Sequence, residues 1–89
     1  MLALRKYGGL KLSLEKAFGI ALKKMREKQK ITQSLVAERS DLDVTYISLL
    51  ERGRRQPSLK SFIQIAKALE ITPVELLKIT LKAWQSAKT

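Results

Sequence analysis

The side chains in this sequence with the most evident chemical use are hydroxyl and guanidinium groups gathered between residues 45 and 55. Thr45 and Ser48 come first, and three arginines follow them, Arg52, Arg54 and Arg55. A hydroxyl can hydrogen-bond to a base edge or a phosphate, and a guanidinium group pairs well with phosphate oxygens. These residue types in this order predict binding to a polyanion rather than the making or breaking of covalent bonds.

Catalysis has few suitable side chains in this sequence. The chain contains no histidine and no cysteine. Disulfides are therefore excluded, the usual ligands of zinc and haem are missing, and no side chain has an ordinary pKa near neutrality. The sequence also has no phosphate-cradling glycine loop and no cluster of carboxylates, so the common active-site geometries cannot be assembled. We expect no enzyme activity, no metal site, no cofactor and no small-molecule substrate.

The charge of the chain favours binding to nucleic acid. Lys and Arg outnumber Asp and Glu by 18 to 8, a net charge of +10 over 89 residues. Charge alone is also compatible with a monomer kept apart by self-repulsion and with binding to an acidic membrane surface. The distribution is uneven, since residues 1–30 hold nine basic residues against two glutamates, whereas residues 31–50 hold one arginine against three acids. The segment around Thr45 is therefore not itself basic, but its flanks are.

The length of the chain allows one domain with a modest core. No apolar run approaches a membrane span, and the N-terminus is not a convincing secretion signal, so we expect no membrane association and a cytoplasmic location. Residues 1–12 lack a periodic apolar stripe and include Gly8 and Gly9. We interpret them as a flexible basic arm, which could enter a minor groove or simply be disordered. Residues 13–89 are expected to form the single domain.

Apolar periodicity predicts an all-α fold of five short helices. We expect them at residues 14–28, 33–39, 44–52 and 59–69, and from residue 73 to the end of the chain. The first helix presents one apolar face, Leu14, Phe18, Leu22 and Met25. The predicted buried stripe of the fourth helix is Leu59, Phe62, Ile63, Ala66 and Leu69, with Ile65 beside it. The fifth helix opens with a capping box, Thr72, Pro73, Val74 and Glu75.

The segment from Thr32 to Pro57 is ordered as helix, turn, helix and basic loop. Thr32 and Asp43 are suited to cap the two helices. Asp41 tolerates the left-handed backbone that a tight turn between them requires, and Gly53 marks the end of the second helix. A helix held by a turn against a partner helix can be presented to the major groove of DNA.

The same segment closely resembles the Xre family of helix-turn-helix proteins, which includes phage repressors and Cro proteins. The matching residues are Thr32-Gln33, Ala37, Asp43-x-Thr45-Tyr46-Ile47-Ser48, Glu51-Arg52-Gly53-Arg54 and Pro57-Ser58-Leu59, and the resemblance covers roughly residues 18–77. Asp41 departs from the family pattern, in which glycine is usual, and with the following Leu-Asp-x-Thr-Tyr-Ile-Ser it also resembles controller proteins of restriction–modification systems. The resemblance implies a five-helix lambda-repressor-like domain, with the second and third helices forming the helix-turn-helix.

The resemblance also implies a base-reading face and a set of phosphate contacts. The base-reading positions are Val44, Thr45, Ser48 and Leu49. The phosphate-binding positions are Gln33, Tyr46, Arg52, Arg54, Arg55 and Lys60, and Gln33 is also implied to brace the third helix. Many relatives carry Gln or Arg on the reading face, whereas this chain has two hydroxyls and two apolar side chains, which suit hydrogen bonds and thymine methyl groups. We therefore expect modest direct readout, with further specificity from DNA shape or dimer spacing.

Several residues have a second interpretation. Leu49 could belong to the core or to a protein contact, Gln33 could be an ordinary polar residue of the first turn, and the arginine run could be solvated surface. Tyr46 is expected to be half-buried with its hydroxyl near a phosphate. Glu51 is expected to orient one of the arginines that follow it. Arg26 and the lysines of the first helix are interpreted mostly as solvated surface, although the last few of them could approach a DNA backbone.

The fifth helix predicts a dimer contact through Leu81 and Trp84. Both extend beyond what five packed helices need, and tryptophan is enriched at interfaces. Trp84 could instead fold back over its own core. The resulting hypothesis is a sequence-specific transcriptional regulator that binds a pseudo-palindromic DNA operator as a homodimer. The alternative is an antitoxin or adaptor-type protein-interaction module on the same fold.

Overall fold

The computed structural model describes residues 12–86 of the chain. In that range the backbone forms five helices and no strand, which confirms the all-α prediction. The helices are α1 (Leu14–Lys28), α2 (Gln33–Ser40), α3 (Val44–Glu51), α4 (Leu59–Ala68) and α5 (Pro73–Ser86). Residues 1–11 of the predicted arm and residues 87–89 of the predicted domain lie outside the described residues. No helix between residues 12 and 86 is long and apolar enough to cross a membrane.

Each helix begins next to a side-chain oxygen that accepts a hydrogen bond from its first turn. Thr32 Oγ1 accepts from the backbone N–H of Leu35 at 3.0 Å, and Asp43 Oδ1 accepts from that of Thr45 at 2.8 Å. The same role belongs to Ser13 at α1, Ser58 at α4 and Thr72 at α5. These caps satisfy backbone donors that have no partner within the helix, so the predicted helix starts are confirmed.

Helices α1 to α4 end in the same way, with one residue in the left-handed backbone conformation. Its φ lies between 58° and 70°, and the four residues are Lys30, Asp41, Gly53 and Glu70. At the end of α3, the N–H of Gly53 donates to the carbonyl of Leu50 at 3.1 Å, and that of Arg54 donates to Leu49 at 2.9 Å. This pairing is a Schellman motif. The left-handed turn at Asp41 and the helix end at Gly53 are thus confirmed.

The core lies where two groups of helices meet. α1 packs against α5 and α3, whereas α2 packs against α4 and α3. Phe18 of α1 and Phe62 of α4 meet across this boundary with ring centroids 5.5 Å apart. The largest fully buried side chains are Leu22, Val36, Ile47, Leu50, Ile65, Leu69 and Leu76. Because α3 supplies both Ile47 and Leu50, one side of this helix is anchored in the core.

The buried side of α4 differs from the prediction. Leu59 and Ile63 were expected in the core, but they are 77% and 40% exposed. Ala66 and Leu69 of the predicted stripe are buried, as is Ile65 beside it, and Ser61 joins Ile65 and Leu69 at the four-residue spacing of one inward face. The periodicity could not decide between the two faces because both are largely apolar, and contact with the neighbouring helices selects one. Leu59 and Ile63 are therefore left on the surface.

Candidate nucleic-acid interface

One side of α3 is open to solvent. Val44 is 42% exposed, Thr45 is exposed, and Ser48 and Leu49 are half-buried. At 100° per residue, these four positions span roughly 140° of the helix, opposite the two side chains that α3 buries. The open face therefore presents two hydroxyls and two apolar side chains without a charge. Its position at the surface agrees with the sequence analysis, and its contact with bases stays a prediction.

The end of α3 is held by a hydrogen-bonded cluster around Glu51. Arg26 of α1 donates from Nε to Oε2 at 2.6 Å and from Nη2 to Oε1 at 3.1 Å. Gln33 of α2 donates from Nε2 to Oε1 at 2.9 Å. Arg26 also donates from Nη1 to the carbonyl of Ile31 at 2.9 Å. One carboxylate at the end of α3, with only 3% of its side chain exposed, is thus bonded to both helices that support α3.

The cluster corrects two predictions. Glu51 was expected to orient an arginine that follows α3, and Arg26 was expected to be solvated surface, but these two side chains pair with each other. The helical period explains the correction, because Arg26 lies four residues after the buried Leu22 and so leaves α1 on nearly the same side. That spacing is the signal in the sequence that could have identified Arg26. Its hydrogen bond to Glu51 raises the pKa of Arg26, although burial acts in the opposite direction.

Helix α1 approaches α3 so closely that a side chain would not fit at the crossing. A Cβ on Gly19 would lie 2.5 Å from the carbonyl oxygen of Leu50 and 2.6 Å from that of Glu51. Directly after α3, a Cβ on Gly53 would lie 2.5 Å from Cγ of Lys16. These backbone contacts and the Glu51 cluster make α1 a support for α3 along its buried side.

Four exposed basic residues follow the helix α3 in the sequence. Arg52, Arg54 and Arg55 follow the helix, Lys60 lies in the first turn of α4, and all four are exposed. Among residues 12–86, no carboxylate forms an ion pair with any of them. Arg55 lies over the ring of Tyr46, with Cζ 5.8 Å from the centroid, within the range of a cation–π contact. The geometry leaves these charges available to an anion, and their binding to phosphate stays a prediction.

Two of the predicted phosphate contacts have roles within the domain. Gln33, the first residue of α2, is half-buried and uses its amide nitrogen to brace Glu51 at the end of α3. Tyr46 is half-buried as expected, and the guanidinium group of Arg55 lies over its ring. Gln33 therefore helps to place α3 and Tyr46 the loop that follows it, and their contact with phosphate stays a prediction.

The predicted dimer residues lie in the C-terminal half of α5. Leu81 and Trp84 are both half-buried. Trp84 donates from Nε1 to the backbone carbonyl of Leu12 at 2.7 Å, which ties the end of α5 to the residues before α1. Their contact with a second subunit stays a prediction.

Comparison with known sequences agrees with this geometry. A family model described as helix-turn-helix matches residues 22–76. The chain is 35% identical over 69 residues to the HTH-type transcriptional regulator y4dJ of Sinorhizobium fredii, which covers 78% of this chain and 90% of the relative. It is 41% identical over 64 residues to the control protein C.BamHI of Bacillus amyloliquefaciens, over 71% of this chain and 79% of that protein.

A solved structure extends the comparison to three dimensions. The restriction–modification controller protein C.Esp1396I, solved as a tetramer in complex with its natural 35 base-pair operator, matches with a TM-score of 0.76 and 34% identity. The match covers 83% of this chain and 97% of that chain. Both resemblances in the sequence, to Xre-type proteins and to controller proteins, are thereby confirmed. The chain belongs to the Xre-type helix-turn-helix family of DNA-binding transcriptional regulators, which are not enzymes.

Proposed function

We propose that this protein regulates transcription in the cytoplasm by binding a pseudo-palindromic operator as a homodimer, with α3 of each subunit in the major groove. The observation that carries the proposal is the way α3 is held and what its exposed side presents. Its open face is uncharged, its end is fixed to α1 and α2 through Glu51, and exposed basic residues follow it in the sequence. A rigid reading helix between phosphate-binding groups is what sequence-specific binding requires.

The reading face carries modest information for each half-site. Thr45 and Ser48 can donate to or accept from a base edge, and Val44 and Leu49 can pack on thymine methyl groups. The face has no arginine, glutamine or asparagine to make a two-point contact with a purine, a contact worth roughly 1–3 kcal/mol of discrimination. We infer that full specificity requires two copies of α3, together with the shape of the DNA between the half-sites.

The surface proposed for the homodimer is an apolar patch on α4 and α5, defined as Leu59, Ile63, Val74 and Leu77. All four side chains are exposed, Leu77 by 47%, and they are four of the six large hydrophobic residues exposed between residues 12 and 86. Leu59 and Leu77 line one groove, whose wall includes Pro57. Exposed apolar surface concentrated in this way on a small domain favours an interaction site.

A second copy of the chain suits the apolar patch on electrostatic grounds. Among the described residues that line the groove, Glu15 is the one charged side chain. A subunit with a net charge of +10 can therefore approach this groove without meeting lysine or arginine in its lining. The groove also includes Gln56 and Pro57, directly after the arginine loop. A two-fold axis near this point would suit two α3 helices roughly one helical turn, ~34 Å, apart on DNA.

The dimer residues predicted from the sequence extend the apolar patch. At 100° per residue, Val74, Leu77, Leu81 and Trp84 fall within roughly 80° of the circumference of α5. Leu81 and Trp84 thus lie on the flank of the helix that carries the exposed part of the patch. The C.Esp1396I complex, a tetramer on its operator, supports the idea that more than one copy binds to DNA.

The DNA proposal is tested by selecting bound duplexes from a random pool. We expect two short half-sites related by a dyad, with centres about one helical turn, ~34 Å, apart. A single unrepeated motif would contradict the homodimer, and retention of all sequences equally would contradict base recognition by α3.

The dimer surface is tested separately by sedimentation at several protein concentrations. We expect Leu59→Ser with Leu77→Ser to keep the chain monomeric at concentrations where the parent chain dimerises. Ile20→Ser is the matched control, because Ile20 is also a large exposed side chain, at 45%, but lies outside the patch. Equal dimerisation of the double variant and the parent would rule out this surface.

A further inference from the structure

A second groove lies between α1 and α5, away from the apolar patch. Its apolar lining includes Ile20 and Met25 from α1, and Ile79 and Ala83 from α5. Ile20 is 45% exposed, and the other three are half-buried. The groove therefore has an apolar floor that is only partly covered by the two helices that form it.

Lysine side chains border this floor on both sides. Lys24 and Lys28 come from α1 and Lys82 from α5, and all three are exposed. None of the described residues that line the groove is acidic, and no carboxylate within residues 12–86 forms an ion pair with these lysines. An apolar floor between positive walls complements a ligand that is apolar along one face and acidic on either side of it.

The groove lies on the opposite flank of α1 from the contacts with α3. Arg26 pairs with Glu51 of α3, and at 100° per residue Lys24 and Lys28 each point about 160° away from Arg26. A duplex held by α3 and by the loop after it therefore leaves the groove accessible. The lysines of this groove are in the wrong place to serve the reading helix.

We propose that this groove binds an acidic amphipathic helix of a partner protein while the regulator is on DNA. A helix can pack between α1 and α5 as one helix packs on two others, with its apolar residues on the floor and its carboxylates toward the lysines. The segment of α1 from Ile20 to Lys28, which forms one wall of the groove, is about 12 Å long, enough for roughly two turns of a partner helix. Such a contact lets the DNA-bound regulator recruit a partner protein in addition to occupying the operator.

Two other occupants fit the groove less well. A second nucleic-acid strand would use the lysines, but its phosphates gain nothing from the apolar floor. Residues 1–11 of the same chain carry Arg5, Lys6 and Lys11 and no acid, so they would be repelled by the groove lysines.

The proposal is tested with a fluorescent synthetic helix that carries leucine along one face and glutamate on both flanks. Binding to the full chain is measured by anisotropy, and a peptide with lysine in place of each glutamate is the control. We expect the acidic peptide to bind saturably and the basic one not to bind. We also expect Lys24→Glu with Lys82→Glu to lower the affinity for the acidic peptide by about tenfold or more. The matched pair Lys67→Glu with Lys78→Glu changes the net charge equally outside the groove, and we expect it to weaken binding by less than about threefold.

Two further measurements separate the occupants. Ile20→Ser should lower the affinity for the acidic peptide, because it removes part of the apolar floor. An unchanged affinity would overturn the proposal. Adding a short duplex should leave the peptide bound to the protein–DNA complex. If the duplex displaced the peptide, the groove would be a second nucleic-acid site and the proposal would be wrong. Equal weakening by the two charge-reversal pairs, or no saturable binding by the parent chain, would also overturn it.

Discussion

Arg26 of α1 and Glu51 of α3 form a two-point ion pair, with Nε 2.6 Å from Oε2 and Nη2 3.1 Å from Oε1. The pair is largely removed from water, with side-chain exposures of 14% and 3%. Gln33 adds a third hydrogen bond to the same carboxylate. Helix α3 is therefore joined at its last residue to both neighbouring helices, and this one carboxylate adds to the core packing that fixes the orientation of its open face.

Removing the charge of Glu51 should destabilise the domain strongly. In Glu51→Gln, Arg26 keeps its charge but loses its ionic partner, and breaking a buried pair in this way costs roughly 3–5 kcal/mol. We expect a loss of about 3 kcal/mol in the free energy of unfolding, measured by urea denaturation. Arg52→Gln is the control, because Arg52 is exposed and its replacement should change the same free energy by less than about 0.5 kcal/mol. Equal effects of the two substitutions would show that the pair contributes little.

The same ion pair should add no pH dependence to stability near neutrality. Glu51 raises the pKa of Arg26, so the stabilisation is complete below the ordinary pKa of arginine and is lost only as the pH rises through the higher value. The difference in unfolding free energy between the parent chain and the double variant Arg26→Met with Glu51→Gln, which leaves no buried charge unpaired, should therefore be constant between about pH 6 and pH 9, far below the ordinary pKa of arginine. A steady fall of that difference within this range would contradict the assignment.

Replacing Gly19 with alanine should reverse the usual effect of such a change. Glycine to alanine within a helix ordinarily stabilises by roughly 0.5–1 kcal/mol. A Cβ at this position would meet the backbone carbonyl oxygens of Leu50 and Glu51 at 2.5 and 2.6 Å, and backbone cannot turn aside as a flexible side chain can. We expect Gly19→Ala to lose about 1–3 kcal/mol in urea denaturation, as overpacked cores do. A stabilised variant would mean that α1 and α3 are not held this closely.

Truncating the two hydroxyls of the reading face should relax base preference. Thr45 is exposed and Ser48 is half-buried on the open side of α3. In Thr45→Ala with Ser48→Ala, the ratio of operator affinity to random-DNA affinity should fall by about tenfold, the lower end of roughly 1–3 kcal/mol for direct contacts. Binding to random DNA should be nearly unchanged in the same titrations. Ser86→Ala, at the far end of α5, is the control. An equal loss on both DNAs would count against base readout by these hydroxyls.

Removing one guanidinium group after α3 should weaken binding to every sequence. Arg54 is exposed and forms no ion pair within residues 12–86. Arg54→Ala should therefore lower affinity for operator and random DNA by the same factor and reduce the slope of log K against log salt by about one. Lys67→Ala, which removes an exposed charge from α4, should leave the slope within error. Loss confined to the operator would indicate that Arg54 contacts a base.

Much of the domain was predictable because its signals are local. The residues Thr32, Asp43 and Ser58 cap helices through bonds to the next few amides, and Asp41 and Gly53 end helices through their own backbone. Such features depend on neighbours in the sequence and need no knowledge of the fold. The family resemblance rests on the same segment, which is why the helix-turn-helix could be identified before any distance was known.

The features that were missed depend on residues far apart in the sequence. Arg26 and Glu51 are separated by 25 positions, and although its spacing from Leu22 places Arg26 on the buried side of α1, no local signal pairs it with Glu51. Leu59 and Ile63 satisfied a helical stripe but lie outside the core, because α4 is apolar on two faces and packing buries only one. The apolar patch and the lysine-bordered groove arise for the same reason, since each is formed by side chains from two different helices.

The sequence by itself thus determined that the chain folds as helices, where those helices begin, where the first four of them end, and which short segment forms the helix-turn-helix. Capping hydrogen bonds and the spacing of apolar residues involve residues only a few positions apart, so both can be recognised from the order of the amino acids. Tertiary structure alone decided that Glu51 joins three helices, that Gly19 lets α1 touch α3, and which apolar side chains remain on the surface. Those outcomes depend on how helices pack, and packing is settled by the shape and burial of all the elements together.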